Sequence, residues 1–207
     1  MNKEVKSIEN QLKLFNKLAG NGNKTQRTIS KELNVALGVA NTMIKKFAKK
    51  GLLKLNEAPM KRYFYYVTPK GFVEKARLIS EFVHSSLDFY RKAKIEFEKI
   101  FLEINKNKYK TIVLTGTGEL TEIAILSANL TESKNIVVYE KNYPEKKFCG
   151  VNVVDRIEKF KFKNDKFVFI LTQPNNSMKV YKELSKHDFK IYKPKFLLLD
   201  WTCIEIG

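Results

Sequence analysis

From Gly71 to about Asn105 the chain has no proline and no second glycine. Apolar residues recur there at steps of three and four: Phe72, Ala76, Ile79, Val83, Leu87, Tyr90, Phe97, Phe101 and Ile104, with Lys94 interrupting the stripe. A stretch with no breaker and that period reads as one helix. At 1.5 Å per residue, about 35 residues reach about 50 Å, too long to sit inside one small domain. The helix therefore divides the 207 residues into a segment before it and a segment after it. Its stripe also exceeds what the first segment can cover, so something else must bury it. A second copy of the helix is the preferred partner, giving a homodimer through residues 71–104. The alternative is packing on the chain's own C-terminal domain.

The two flanking segments differ in charge. The chain carries 39 Lys+Arg against 22 Asp+Glu, a net charge of +17. Residues 1–70 hold +11 of it, against +3 in 71–110 and +3 in 111–207. A general lysine bias would spread evenly, so the first segment reads as a surface for a polyanion. An apolar fraction of 43% excludes global disorder. Cys149 and Cys203 lie far apart without a CxxC pair and form no metal constellation with His84 and His187, which excludes a disulfide scaffold or zinc ribbon. Both cysteines are expected to be small buried apolar residues. The polar stretch Met1–Lys6 is no signal peptide, and no run approaches the roughly 20 apolar residues of a membrane span, so a cytoplasmic protein with no membrane partner is expected.

Within the first segment, Ile8, Leu12, Phe15 and Leu18 follow a helical period behind Ser7, and Gly20-Asn21-Gly22 ends that helix. Thr25 starts a short helix carrying Ile29 and Leu33. Asn34 breaks it, and a longer helix runs from about Ala36 to Lys50 with Ala40, Ile44 and Phe47 inward. Two helices joined by a tight turn have helix-turn-helix geometry. The outward face of the second is read as Asn41, Thr42, Lys45, Lys46 and Lys49: short hydrogen-bonding groups for base edges, lysines for phosphates. After Gly51, a strand, the turn-like Asn56–Met60 and the β-prone Tyr63–Val67 predict a hairpin, or wing, with Lys61 and Arg62 near its tip. Arg62 suits a minor groove.

The run from Thr25-Gln26-Arg27 through Ser30–Leu33, Asn41, Lys49-Lys50-Gly51 and Tyr66-Val67-Thr68-Pro69-Lys70-Gly71 resembles the MarR-type winged-helix regulators, nearest the subgroup associated with exopolysaccharide gene clusters. The resemblance covers about residues 7–104. It implies a bacterial, dimeric transcription regulator that holds double-stranded DNA through Thr25, Gln26, Arg27, the helix face and the wing. The chain departs from the pattern at Ala36, where a capping hydroxyl is usual, and at Asn34, where glycine is usual.

Beyond a polar linker at Lys106-Asn107-Lys108, strand and helix patterns alternate. Thr111–Thr115 is a buried strand, Gly116-Thr117-Gly118-Glu119-Leu120 opens a helix, Ile136–Tyr139 is a second strand ending at Glu140, and Phe167–Leu171 a third. The last leads through Thr172-Gln173-Pro174-Asn175-Asn176 into a helix ending near Lys186. This alternation predicts a mostly parallel sheet. Gly116 permits a tight turn, Gly118 lets backbone approach a phosphate at a helix N-terminus, and an acid in the place of Glu140 suits ribose hydroxyls. The candidate nucleotide residues are Gly116, Thr117, Gly118, Glu119, Glu140, Thr172 and Asn175. Thr121 replaces the third fingerprint glycine and is expected to loosen helix–strand packing, while Glu119 opposes a pyrophosphate. A degenerate domain serving as a structural or protein-contact module is the other reading.

Gly116 to Ala124, followed by Phe148-Cys149-Gly150-Val151, resembles the Rossmann-like domains found beside sugar acyltransferases and nucleotide-sugar enzymes. The order of winged helix then Rossmann-like domain is also similar in architecture to NADH-sensing redox repressors. A dinucleotide or nucleotide sugar is the implied ligand, acting as a small-molecule effector.

No Ser/His/acid or Cys/His set has catalytic spacing, so a binder and not an enzyme is expected. The whole reads as a mixed α/β chain: a winged helix-turn-helix over 1–70, a long connecting helix over 71–107 and a small Rossmann-like parallel-sheet domain over 108–207. The expected function is sequence-specific regulation of transcription, with surface-polysaccharide genes implied by resemblance alone. A nucleotide-dependent enzyme of sugar metabolism and an NADH-responsive repressor are the alternatives.

Overall fold

The structure is a computed structural model and describes residues 3–19, 23–58, 62–107, 109–160, 166–187 and 189–198. It forms two compact units, Met1–Asp88 and Phe89–Gly207.

In the first unit α1 (Lys3–Ala19) and β1 (Asn23–Lys24) precede α2 (Gln26–Leu33) and α3 (Leu37–Lys49), and β2 (Leu53–Ala58) and β3 (Arg62–Val67) follow. The three strands form an antiparallel sheet in the order β1-β3-β2, with β2 and β3 in register from Leu53↔Val67 to Ala58↔Arg62. Helix-turn-helix plus β-hairpin is the winged-helix arrangement, and its local causes are visible. Thr25 caps α2 by accepting a bond from the Thr28 amide at 3.1 Å. Asn34 ends α2 in the left-handed region (φ 52°), as its short polar side chain tolerates. Ala36 starts α3 without a side-chain cap. The core is Ile8, Leu14, Phe15 and Leu18 of α1 against Ile29, Leu33, Ile44 and Phe47, with the Phe15 and Phe47 ring centroids 4.7 Å apart and the rings tilted by 37°. Strand β2 extends through Ala58, into the stretch the sequence reads as a turn. Gly20-Asn21-Gly22, Pro59 and Met60 lie outside the described residues.

α4 (Pro69–Lys106) is the long helix, 38 residues without a break. Its start is tied to the end of α3: the Thr68 hydroxyl donates to the Gly51 carbonyl (2.6 Å) and accepts from the Gly71 amide (3.0 Å), while the Thr68 amide donates to the Leu52 carbonyl (3.0 Å). Gly71 is buried, and a Cβ there would overlap the Leu52 carbonyl oxygen. The Thr-Pro-Lys-Gly turn is thus a joint between α3, the hairpin and α4.

The apolar stripe of α4 divides. Leu78 joins the first unit's core. Ala93, Phe97, Phe101 and Ile104 are at most 1% exposed and belong to the core of the second unit. Phe72, Ile79, Val83, Leu87 and Tyr90 are exposed. The expectation that the whole stripe over 71–104 awaits a second subunit is corrected: its C-terminal part is buried in the core of its own unit.

In the second unit β4 (Thr111–Thr115), α5 (Glu119–Leu130), β5 (Ile136–Tyr139), β6 (Lys147–Phe148), β7 (Val151–Val154), a 3-10 turn (Ile157–Phe160), β8 (Phe167–Leu171), α6 (Ser177–Leu184), β9 (Lys190–Tyr192) and α7 (Lys195–Leu198) follow in chain order. The sheet order is β6-β7-β5-β4-β8-β9, parallel throughout except for β6 against β7. Counting the parallel strands alone gives 3-2-1-4-5, the doubly wound Rossmann order, whose direction reverses between β4 and β8. Phe167–Leu171 is therefore the fourth parallel strand, not the third. Cys149 and Gly150 form the turn between β6 and β7. Cys149 is exposed and unpaired, contrary to the expectation of burial, and Cys203 lies outside the described residues.

Candidate nucleic-acid surface and nucleotide cleft

α3 buries Ala40, Ile44 and Phe47, and at about 100° per residue the opposite face is Gly38, Thr42, Lys45 and Lys49. All four are exposed. The Thr42 hydroxyl donates to the Gly38 carbonyl at 2.8 Å, which leaves its lone pairs as acceptors on that face. Asn41 is not on it. It lies half-buried on the flank, its Oδ1 out of contact with solvent and without a hydrogen-bond partner among the described residues. Lys46 occupies the other flank, where with Val39 and Met43 it borders a groove of about 360 Å³ against Ser7, Asn10 and Gln11 of α1.

Of the residues expected at the start of α2, Arg27 is exposed, while Thr25 is engaged as the cap. Gln26 is half-buried, and the buried Tyr65 hydroxyl has no hydrogen-bond partner among the described residues. Burial raises the Tyr65 pKa, and the neighbouring Tyr63 adds to that. Arg62 opens β3 opposite Ala58, the last residue of β2, at the end of the hairpin where the two strands are connected. Its side chain and the whole of Lys61 lie outside the described residues. The first unit thus presents one helix face of short polar and cationic groups beside a hairpin, chemistry suited to phosphates and base edges.

In the second unit the candidate nucleotide residues gather at the carboxyl ends of β4, β5 and β8. Gly116 turns with φ 92°, and its amide donates to the Tyr139 carbonyl at 2.8 Å. Gly118 caps α5 with extended backbone, and a Cβ there would meet nothing within 4 Å. Thr117 is half-buried beside it, Glu119 and Glu122 are exposed on the first turn, and Asn175 is exposed in the β8–α6 loop. Glu140 is half-buried, and one of its carboxylate oxygens accepts a 2.8 Å bond from Nε2 of Gln173.

Thr172 and Thr121 face inward. Both are fully buried. The Thr172 hydroxyl donates to the Thr115 carbonyl at 2.5 Å, and the Thr172 amide donates to Thr115 Oγ1 at 3.1 Å. The Thr121 hydroxyl lies 2.9 Å from Thr172 Oγ1 and 2.8 Å from the Gly116 carbonyl, its single proton shared between them. Far from loosening the packing, Thr121 stitches α5 to β4 and β8. Thr172 is a structural member of the same network.

Sequence reading missed two groups. Gln173 fills the space over Gly116, where a Cβ would overlap its Cγ; its position just after a strand at the sheet's reversal point was the available signal. Tyr139 is the other. Its hydroxyl is buried without a hydrogen-bond partner among the described residues, and burial raises its pKa, helped by the charge of Glu183. Among the described residues no group of three His, Cys, Asp or Glu could hold a metal ion, and no helix is long and apolar enough to cross a membrane.

No family model and no curated protein matches the chain. Solved structures give partial likenesses. MepR, a transcription regulator of the Staphylococcus aureus multidrug efflux pump MepA, is 17% identical over 39% of this chain and 61% of its own, with a TM-score of 0.33, so the likeness spans less than two thirds of MepR. The PcaV transcriptional regulator from Streptomyces coelicolor is 17% identical over 47% of this chain and 74% of its own, with a TM-score of 0.38. Human N-acetylserotonin methyltransferase, solved with SAM, is 10% identical over 81% of this chain and 67% of its own, with a TM-score of 0.30. TM-scores this low leave the functional reading to the geometry above.

Proposed function

We propose that the chain is a sequence-specific, DNA-binding regulator of transcription that acts as a dimer, a binder and not an enzyme. The observation that carries this reading is the exposed Gly38, Thr42, Lys45 and Lys49 face of α3, in a segment holding +11 of the net charge. The two lysines suit phosphates, and Thr42 is short enough to reach base edges when α3 lies in a major groove.

Dimerisation is supported by what remains open on α4. Phe72, Ile79, Val83, Leu87 and Tyr90 lie seven, four, four and three residues apart, on one helical face, and are 37–54% exposed. A second copy of that segment is the partner that matches it, as in a short coiled coil. Two copies of α3 would then read a palindromic site with half-sites about 34 Å, one helical turn, apart. The sheet unit, with its Rossmann order and the Gly116 turn, is the sensor of a nucleotide-type effector. An effector could control DNA binding only by favouring one arrangement of the dimer over another. Surface-polysaccharide genes as targets rest on the residues from Thr25 to Gly71 that resemble the exopolysaccharide-associated regulators.

The direct test is duplex binding by the full chain and by a Lys45→Ala, Lys49→Ala variant, with circular dichroism to show that the variant stays folded. Loss of binding in the variant is expected. Unchanged affinity would sink the assignment of α3 as the recognition helix.

A further inference from the structure

The reversal of strand order between β4 and β8 opens a crevice at their carboxyl ends, which is where an open α/β sheet takes its ligands. Here that crevice is already filled by one of the chain's own side chains. Gln173 leaves the end of β8 and lays its amide over Gly116; a Cβ at Gly116 would overlap Gln173 Cγ and come within 2.7 Å of Cδ. The same amide donates from Nε2 to Glu140 Oε2 at 2.8 Å. A carboxylate only accepts hydrogen bonds, so the amide must present its N–H group, as a ribose hydroxyl would present its O–H.

We propose that Gln173 is a built-in occupant of this cleft, holding Glu140 in place of a ribose hydroxyl, and that a nucleoside binds only when the side chain swings off Gly116. The inference rests on the reading of the sheet unit as a ligand sensor and gives that sensor its closed state. It also narrows the ligand. Glu119 and Glu122 stand in the first turn of α5, Glu140 directly follows β5, and the adjacent Lys141 is already tied to Glu183 at 2.6 Å. Two carboxylates in the first turn of α5 and a third beside Gly116 oppose a pyrophosphate and favour a nucleoside whose 5′ substituent is neutral or cationic. Gly118, beside them, leaves open space for such a group.

The competition sets the size of the effect. If the closed form holds about nine tenths of the molecules, removing the Gln173 amide strengthens apparent affinity about tenfold. The experiment uses the full chain as wild type, Gln173→Ala, Gln173→Ser and Gln173→Ala with Glu140→Gln. Each is titrated calorimetrically with adenosine, S-adenosylmethionine, NAD⁺ and UDP-N-acetylglucosamine. Adenosine and S-adenosylmethionine should bind both single variants about tenfold tighter than wild type, and the Glu140→Gln change should abolish the gain. The two pyrophosphate compounds should bind more weakly than adenosine. Equal affinity in wild type and both Gln173 variants overturns the gate, as does failure of all four compounds to bind any of them. Tightest binding by a pyrophosphate compound overturns the ligand class. Duplex binding by the same preparations separates the two readings: a protein that holds DNA and ignores every nucleoside loses this inference and keeps its α3 assignment.

Discussion

Replacing Thr121 by glycine restores a residue that dinucleotide-binding turns commonly carry at this place, and the structure says it should destabilise the sheet unit. Thr121 is fully buried, with its hydroxyl between the Gly116 carbonyl and Thr172 Oγ1. Glycine removes a buried methyl worth about 0.8 kcal/mol. It also removes a buried hydrogen bond worth about 1 kcal/mol, leaving the Gly116 carbonyl without that donor. Helix propensity in the first turn of α5 adds about 0.4 kcal/mol. The expected loss for Thr121→Gly is therefore about 2–3 kcal/mol. Thr121→Ser keeps the hydroxyl and should cost about 1 kcal/mol, whereas Thr121→Val keeps the volume, strands the carbonyl and falls between. Urea denaturation of the full chain followed by circular dichroism gives the ranking, read from the transition of the sheet unit if the two units separate. A glycine variant as stable as wild type would refute the network. A further check is Thr172→Val alone and combined with Thr121→Val: the shared bond makes the double loss smaller than the sum of the single losses.

Other outcomes follow from the same geometry. Gly71→Ala forces a Cβ onto the Leu52 carbonyl oxygen and should cost about 1–3 kcal/mol in the first unit, with weaker DNA binding because the joint holding α3 to the hairpin shifts. Thermal unfolding and a duplex-binding assay check both parts. Val83→Glu with Leu87→Glu puts charge on the exposed part of α4 and should yield a folded monomer by analytical ultracentrifugation. Phe97→Ala, at a fully buried position, should instead cost about 3–5 kcal/mol of stability, measured by urea denaturation. Acidification should weaken the start of α4. The Glu74 pKa is lowered, first by its hydrogen bond with Arg77, so that pair is stabilising above the ordinary glutamate pKa and is lost as pH falls through the lowered value. Glu74→Gln should flatten stability over that acidic window.

Much of the fold was legible because local signals agreed with it. Strands β4, β5 and β8 lie where the unbroken apolar runs placed them, since strands buried on both faces read as continuous Val/Ile/Leu/Phe. Asn34 and Gly51 end their helices with the positive φ those residue types tolerate. Strand β7 escaped because Val151–Val154 is only four residues long and pairs with β5 only through Val153 and Val154. The period of α4 told which residues share a face. It could not tell that Phe97, Phe101 and Ile104 are covered within the chain while Val83 and Leu87 are not.

The sites were less legible for the same reason. Asn41 lies one residue from the buried Ala40, and a helix wheel alone does not decide which way a flank position turns. The Thr115, Thr121 and Thr172 network joins residues up to 57 apart in sequence, so a glycine fingerprint cannot show it. Gln173 meets Gly116 and Glu140 only because β8 is laid beside β4.

Selection of bound duplexes from a random pool, followed by affinity against salt concentration, tests the central claim most directly. The full chain should enrich a palindrome with half-sites about one helical turn apart. On that sequence, Lys45→Ala with Lys49→Ala should weaken binding and reduce the slope of log affinity against log salt by about 2, one for each lost phosphate contact. A pool with no enriched sequence, or a double variant with the wild-type affinity and slope, would contradict the account.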